Sequence, residues 1–347
     1  MPKTSNSQYN LAFIKKSFGF LSNGKEVFCY TLTTLNGMEL EVINYGASIV
    51  SLKIPLEKGN KVDVVLGFES LEDYIASFSP NNAPYIGAIV GRYAGRINQA
   101  QFTLNNQTIL LTKNHNQHQI HGGHEGFSKA FWDVVKVDFN SITLEYCSKN
   151  GEENFPGELI TQVTYSLTEQ MELKVSMNSK CIQDTIINLT QHSYFNLDGH
   201  SETIVNQELF VNSKETLETT SENIPTGKLI DLIGHDFDFS IPKKCPTSID
   251  NTFVLTNENE IAAAVFSKKN KLKMSVFTNQ PSVHIYVGGT CSNNIKCKQN
   301  INYHSLSGIC FETQNFPDAP NHEHFPSAVL KKGEEYIHKT LFKFEKL

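Results

Sequence analysis

With 347 residues, 39% of them hydrophobic and 19% charged, the chain has enough apolar side chain for a large core, and its composition excludes a disordered protein. A net charge of −6 argues against a general affinity for nucleic acid or for anionic membranes. Seven scattered cysteines with no C-x-x-C pair provide neither a disulfide framework nor a zinc ribbon, and point to reduced thiols in a cytoplasmic protein.

The N-terminal MPKTSNSQYNLAF lacks the apolar core of a signal peptide, and no window approaches a membrane span. Residues 1–20 show no usable pattern and are set apart as an extension of unassigned role, ahead of one domain over 21–347. Period-two alternation then dominates. Met38, Leu40 and Val42 alternate with Glu39 and Glu41 directly after an Asn36-Gly37 hairpin signal. Val50, Leu52 and Ile54 repeat the pattern, as do Ile142, Leu144 and Tyr146, residues 159–167, Met171 to Met177 in steps of two, and residues 271–277. Turn signals separate the runs, and the best helical stretch, residues 70–77 (SLEDYIAS), is short. Many short strands with frequent turns predict an all-β sandwich or barrel.

Five stretches carry polar chemistry. Residues 86–98, IGAIVGRYAGRIN, hold the only two arginines of the chain, Arg92 and Arg96, against 28 lysines. The glycine spacing fits no phosphate loop, so an arginine contacting ligand hydroxyls is preferred, with an ion pair as the alternative. His115, His118, His121 and His124 recur in steps of three, but Gly122-Gly123 breaks any helix that would align them, and on a strand they would face alternate sides; no metal is expected. His192, in NLTQHSYFNL, reads either as a satisfied core histidine or as a general acid. Asp250, before the apolar run FVL, reads as an Asx turn or as an acceptor for hydroxyls, and Gln280, after the strand KLKMSVF, offers both donor and acceptor. In GICFETQNFPDAPN (308–321) a short apolar run delivers Glu312 to a segment that Pro317 and Pro320 keep out of helix and central strand. Such an acid is either merely solvated or a general base. No G-x-S-x-G elbow and no activated cysteine supports a hydrolase. This inventory suits proton transfer on a polyhydroxylated substrate without a cofactor.

In the order NYGASIVSL, VLGF, IGAIVGRYAGRI, IHGGHEGF, FPGEL, NLTQHSYFNL, IPTG, IDNTFVL, TNQPSVHIY and FETQNFPDAPN, the chain resembles the aldose 1-epimerases, or galactose mutarotases, from about Asn44 to its end. The resemblance implies a large antiparallel β-sandwich with one open sugar-binding face. It implies Glu312 as general base and His192 as general acid, with Arg96, His121, Asp250 and Gln280 holding the oxygens of a small-molecule aldose, and neither metal nor cofactor. Gly95, Asn251 and Gln191 depart from residues common in that family. Those changes leave the proton-transfer groups intact and bear on which sugar is preferred. Rival readings are an epimerase of hexose 6-phosphates, a non-catalytic sugar-binding protein on the same scaffold, and a glycosidase, which would need a second placed acid.

Overall fold

The computed structural model describes residues 13–78, 83–256, 260–289, 295 and 297–347. Cys291 and most of the N-terminal extension lie outside the described residues, whereas Cys29, Cys147, Cys181, Cys245, Cys297 and Cys310 are free thiols. Every ladder between named strands is antiparallel. The largest sheet has nine strands in the order Asp133–Val137, Ser141–Ser148, Leu159–Thr168, Glu172–Cys181, Glu335–Lys346, Leu272–Thr278, Ala263–Ser267, Glu208–Val211 and Lys243–Lys244. A six-stranded sheet runs Tyr194–Phe195, Ile309–Gln314, Ser282–Val287, Ile249–Val254, Glu215–Thr219 and Pro225–Asp231. The two pack face to face as a sandwich, the architecture that alternation without helices requires.

The alternation read from the sequence is realised side chain by side chain. Along Leu159–Thr168, Leu159, Val163, Tyr165 and Leu167 are buried while Ile160 and Gln162 face out. From the six-stranded sheet, Phe195, Phe253, Val283, Ile285 and Phe311 meet Met274, Val276, Phe342 and Phe344 of the nine-stranded sheet in one core. The Phe195 and Phe342 rings lie 4.9 Å apart. Truncating either ring to alanine would cost about 3–5 kcal/mol in lost transfer energy and cavity.

A five-stranded meander, Ile14–Phe20, Glu26–Thr33, Glu39–Ile43, Ser48–Pro55 and Lys61–Asp63, completes the large sheets. Its first strand draws part of the 1–20 extension into the sheet: Ile14 to Phe20 pair with Thr31 to Glu26. It is an edge strand, exposed over most of its length, so it has no buried face to write an alternation into the sequence. The expected helix forms over Leu71–Ser77, and the Ser70 hydroxyl caps it by accepting the Asp73 N–H. Among the described residues, no helix is long and apolar enough to cross a membrane.

Candidate active site

The face of the six-stranded sheet turned away from the core is polar. Strand pairing sets His284 opposite both Glu312 and Thr252, and Tyr286 opposite Asp250. Because side chains alternate, Glu312 and Gln314, His284 and Tyr286, and Asp250 and Thr252 all project from this one face, while Phe311, Val283 and Phe253 enter the core. The strand Ile309–Gln314 is buried on both faces, since loops close over the polar side and leave a cleft of about 240 Å³. From the sheet, Glu312, Gln314, His284, Tyr286, Asp250 and Tyr194 line it; from the loops come Tyr85, Gly95, Arg96, His121, His192 and Pro317.

A buried amide sets the loops. Asn188 donates its side-chain N–H groups to the carbonyls of Ala94 (2.9 Å) and Asn315 (3.2 Å) and accepts the Asn315 N–H (2.7 Å). One residue thereby joins the segments that carry Arg96, His192 and Glu312. His192 donates its N–H to the Ala88 carbonyl and accepts the Gly87 N–H on its own, each at 2.9 Å. Its imidazole is thus delivered to the cleft floor, where Nε2 lies 3.4 Å from Glu312 Oε1. The two side chains are only 5% and 3% exposed, so a ligand in the cleft would meet them out of bulk water. The Cys310 sulfur lies 3.7 Å from His192 Nδ1.

His121 completes the cluster. Its N–H donates to the Gly95 carbonyl (3.1 Å), and its Nδ1 accepts the Gly95 N–H (3.3 Å). Burial first, then the neighbouring His192 and Arg96, holds the imidazole well below the ordinary histidine range. A neutral ring that accepts at Nδ1 carries its proton on Nε2, so His121 is a hydrogen-bond donor toward the cleft. The ligand atoms of His121, His192 and Glu312 lie within 4.8 Å of one another, a combination that could hold a transition metal. Ligation through His121 Nε2 would need the proton on Nδ1, pointed at the Gly95 N–H. That arrangement suits a hydroxyl-binding donor better than a metal ligand.

On the opposite wall Asp250 is a hub. His284 Nε2 lies 2.8 Å from its Oδ1, while Asn223 Nδ2 (2.8 Å) and Arg96 Nη2 (3.7 Å) reach Oδ2. Burial would raise this carboxyl, but the hydrogen bond and charge of His284, with Arg96 behind them, outweigh it and hold Asp250 below the usual carboxylate range. Burial likewise depresses His284, and the same pairing with Asp250 more than offsets it, leaving His284 above the ordinary histidine range. Thr252 Oγ1, 2.8 Å from His284 Nδ1, fixes the ring.

An aldose 1-epimerase family model matches residues 29–343. The chain belongs to the aldose 1-epimerase family. It is 36% identical to a galactose mutarotase from Bos taurus over 318 residues, covering 88% of this chain and 91% of that protein. It is 31% identical to an aldose 1-epimerase from Escherichia coli over 339 residues, covering 91% and 95%. Among solved structures, an aldose epimerase homologue from C. elegans superposes with a TM-score of 0.85 at 25% identity, over 91% of this chain and 98% of that one. A galactose 1-epimerase from Lactobacillus acidophilus does so at 0.82 and 26%, over 96% and 98%.

Five of the six site residues expected for a member of this family converge in the cleft: Glu312, His192, Arg96, His121 and Asp250. Gln280 does not. It precedes the strand Ser282–Val287, where its side chain donates to Asn279 (3.1 Å) and its N–H to the Thr278 hydroxyl (3.1 Å); the residues of that strand that reach the cleft are His284 and Tyr286. The arginine pair also divides. Arg92 is 2% exposed and donates to the carbonyls of Pro156, Gly157, Ser148 and Lys149, a structural bracket outside the cleft lining. The histidine run scatters: His115 and His121 line the cleft, His118 is buried against the Gln99 N–H, and His124 is held at the surface by the Lys113 carbonyl.

The three departures from common family residues separate by geometry. Gln191 faces away from the cleft and stitches its own loop, donating to Gly87 O and Ser193 Oγ and accepting the Ser193 N–H. Asn251 points to the opposite side of its strand from Asp250. Only Gly95 lines the cleft. Its φ of +80° favours glycine, and a Cβ there would come within 2.9 Å of Pro317.

Proposed function

We propose that this chain is a mutarotase that interconverts the α- and β-anomers of free hexoses such as galactose and glucose, with Glu312 as base and His192 as acid. The observation that carries this reading is the 3.4 Å separation of Glu312 Oε1 and His192 Nε2 on one cleft wall. Ring opening removes a proton from the anomeric hydroxyl and gives one to the ring oxygen. Both oxygens are bonded to C1, so the two proton-transfer groups must sit side by side. A hydrolytic glycosidase of the usual type holds two carboxyls about 5–9.5 Å apart across the bond it cleaves; among the described residues the one other carboxylate lining the cleft, Asp250, is committed to His284, Asn223 and Arg96.

In the forward direction Glu312 takes the O1 proton as the C1–O5 bond breaks, and His192 delivers its proton to O5. The open aldehyde rotates about C1–C2, and closure reverses both transfers, returning each group to its starting state. Each positioned transfer is worth roughly 10²–10⁴-fold. His121, donating from Nε2, and Arg96 steady the charge that develops on oxygen. Asp250, held ionised by His284, accepts from sugar hydroxyls farther along the ring. Both cationic groups on that wall, Arg96 and His284, face Asp250, and among the described residues no lysine lines the cleft. This charge balance favours a neutral hexose over a 6-phosphate.

Polarimetry of freshly dissolved α-D-galactose and α-D-glucose, beside their 6-phosphates, tests the reading. The expected result is acceleration toward the equilibrium rotation for the free sugars, undiminished by chelator. No acceleration for either free sugar would refute it, and faster equilibration of the 6-phosphates would overturn the substrate class.

A further inference from the structure

The cleft accounts for one face of the catalytic strands; the opposite face holds polar side chains that the reaction does not use. His338, on the strand Glu335–Lys346 of the nine-stranded sheet, is fully buried. Its Nε2 lies 3.0 Å from Thr313 Oγ1 and 3.0 Å from Thr340 Oγ1, and the two hydroxyls are 2.6 Å apart. Its Nδ1 lies 3.4 Å from the Tyr336 hydroxyl, which accepts the Leu189 N–H at 3.3 Å.

Thr313 is the residue after Glu312, and Leu189 begins the segment that ends in His192. A leucine or phenylalanine would fill this part of the core without the desolvation cost of an imidazole. What an apolar side chain would not supply is a simultaneous hold on both segments. We propose that His338, with Tyr336 and Thr340, is a positioning element that sets the distance between Glu312 and His192 from behind the sheet. The inference rests on the assignment of those two residues as base and acid. Successive strand side chains point to opposite faces, so fixing the Thr313 hydroxyl fixes the rotation of the strand about its axis, and with it the height of the Glu312 carboxylate. At the other segment, Leu189 is held at one end. The pairing of Thr190 and Gln191 with Val90 and Ile89 carries that placement on to His192.

The test compares His338→Leu, His338→Gln and Thr313→Val with Val265→Ala, a core truncation on the same sheet. Positioning predicts that His338→Leu and Thr313→Val each lower kcat about 10- to 100-fold, as a displacement of about 1 Å does. KM for galactose stays within about two-fold, because the sugar-holding groups are untouched. The double variant falls little further than His338→Leu alone, since both break one contact. His338→Gln, which keeps a donor and an acceptor, recovers part of kcat. Val265→Ala loses stability with kcat unchanged. If His338→Leu does not fold, Thr313→Val, which exchanges one hydroxyl for a methyl of similar size, carries the test. Retention of kcat within about two-fold in Thr313→Val, or a fall in kcat matched by Val265→Ala, overturns the proposal. Failure of the underlying assignment looks different: there Glu312→Gln and His192→Asn would themselves remain active.

Discussion

His338 also gives the fold a measurable weakness in acid. In the native protein burial pushes its imidazole down to about 3, the Leu189 backbone opposing this only partly. In the unfolded chain it titrates near the ordinary value of about 6.5. Between those limits the unfolded state binds a proton that the folded state refuses. The contribution is therefore fully present above pH 6.5 and is lost as pH falls toward 3. The whole window corresponds to about 5 kcal/mol, and about 2 kcal/mol is gone at pH 5. The groups around the ring, Thr313, Thr340 and Tyr336, do not ionise in this range. The perturbation is His338→Gln, which removes the titration, and the assay is urea unfolding at pH 7.5 and pH 5. Other histidines contribute equally to both proteins and cancel in the difference. Wild type should lose about 2 kcal/mol more than the variant between the two pH values. Parallel losses would show that His338 is not buried neutral, and would refute the reasoning.

The two arginines should respond in opposite ways to the same change. Arg92→Lys, unable to reach several carbonyls at once, should lower stability by on the order of 3 kcal/mol with KM unchanged, whereas Arg96→Lys should keep its melting temperature and raise KM. A result in which both change KM alike would contradict the division drawn between them. Gln280→Ala should leave KM within about two-fold of wild type, while His284→Ala, which removes the main partner of Asp250, should raise it about 10- to 100-fold. The reverse order would reinstate Gln280 as the sugar contact.

Where alternation governs the chain, the sequence was readable: the long strands and the sandwich follow from side chains that must take turns facing a core. The same rule held information about the site that the sequence reading did not use. Ser282, His284 and Tyr286 alternate with Val283, Ile285 and Val287, a pattern that puts His284 on the polar face of its strand, whereas the resemblance points to the nearby Gln280. Gln314 is two residues from Glu312 and shares its face for the same reason. The division between Arg92 and Arg96 lay beyond pattern reading, because the segment between Val90 and Arg96 is irregular and its direction is set by Asn188, far away in sequence. His338 was invisible for another reason: a lone histidine in the last strand has no motif, and its role depends on which strand lies behind Glu312. The edge strand Ile14–Phe20 escaped because neither of its faces is fully buried.

The central claim is that Glu312 takes the anomeric proton. Glu312→Gln keeps the shape and hydrogen-bonding reach of the side chain while removing its basicity. Polarimetry of α-D-galactose with this variant, paired with a sugar-binding titration, tests the claim most directly. The account predicts that kcat falls by about 10²–10⁴-fold with galactose affinity preserved. Turnover near the wild-type rate in a variant that still binds galactose would contradict it.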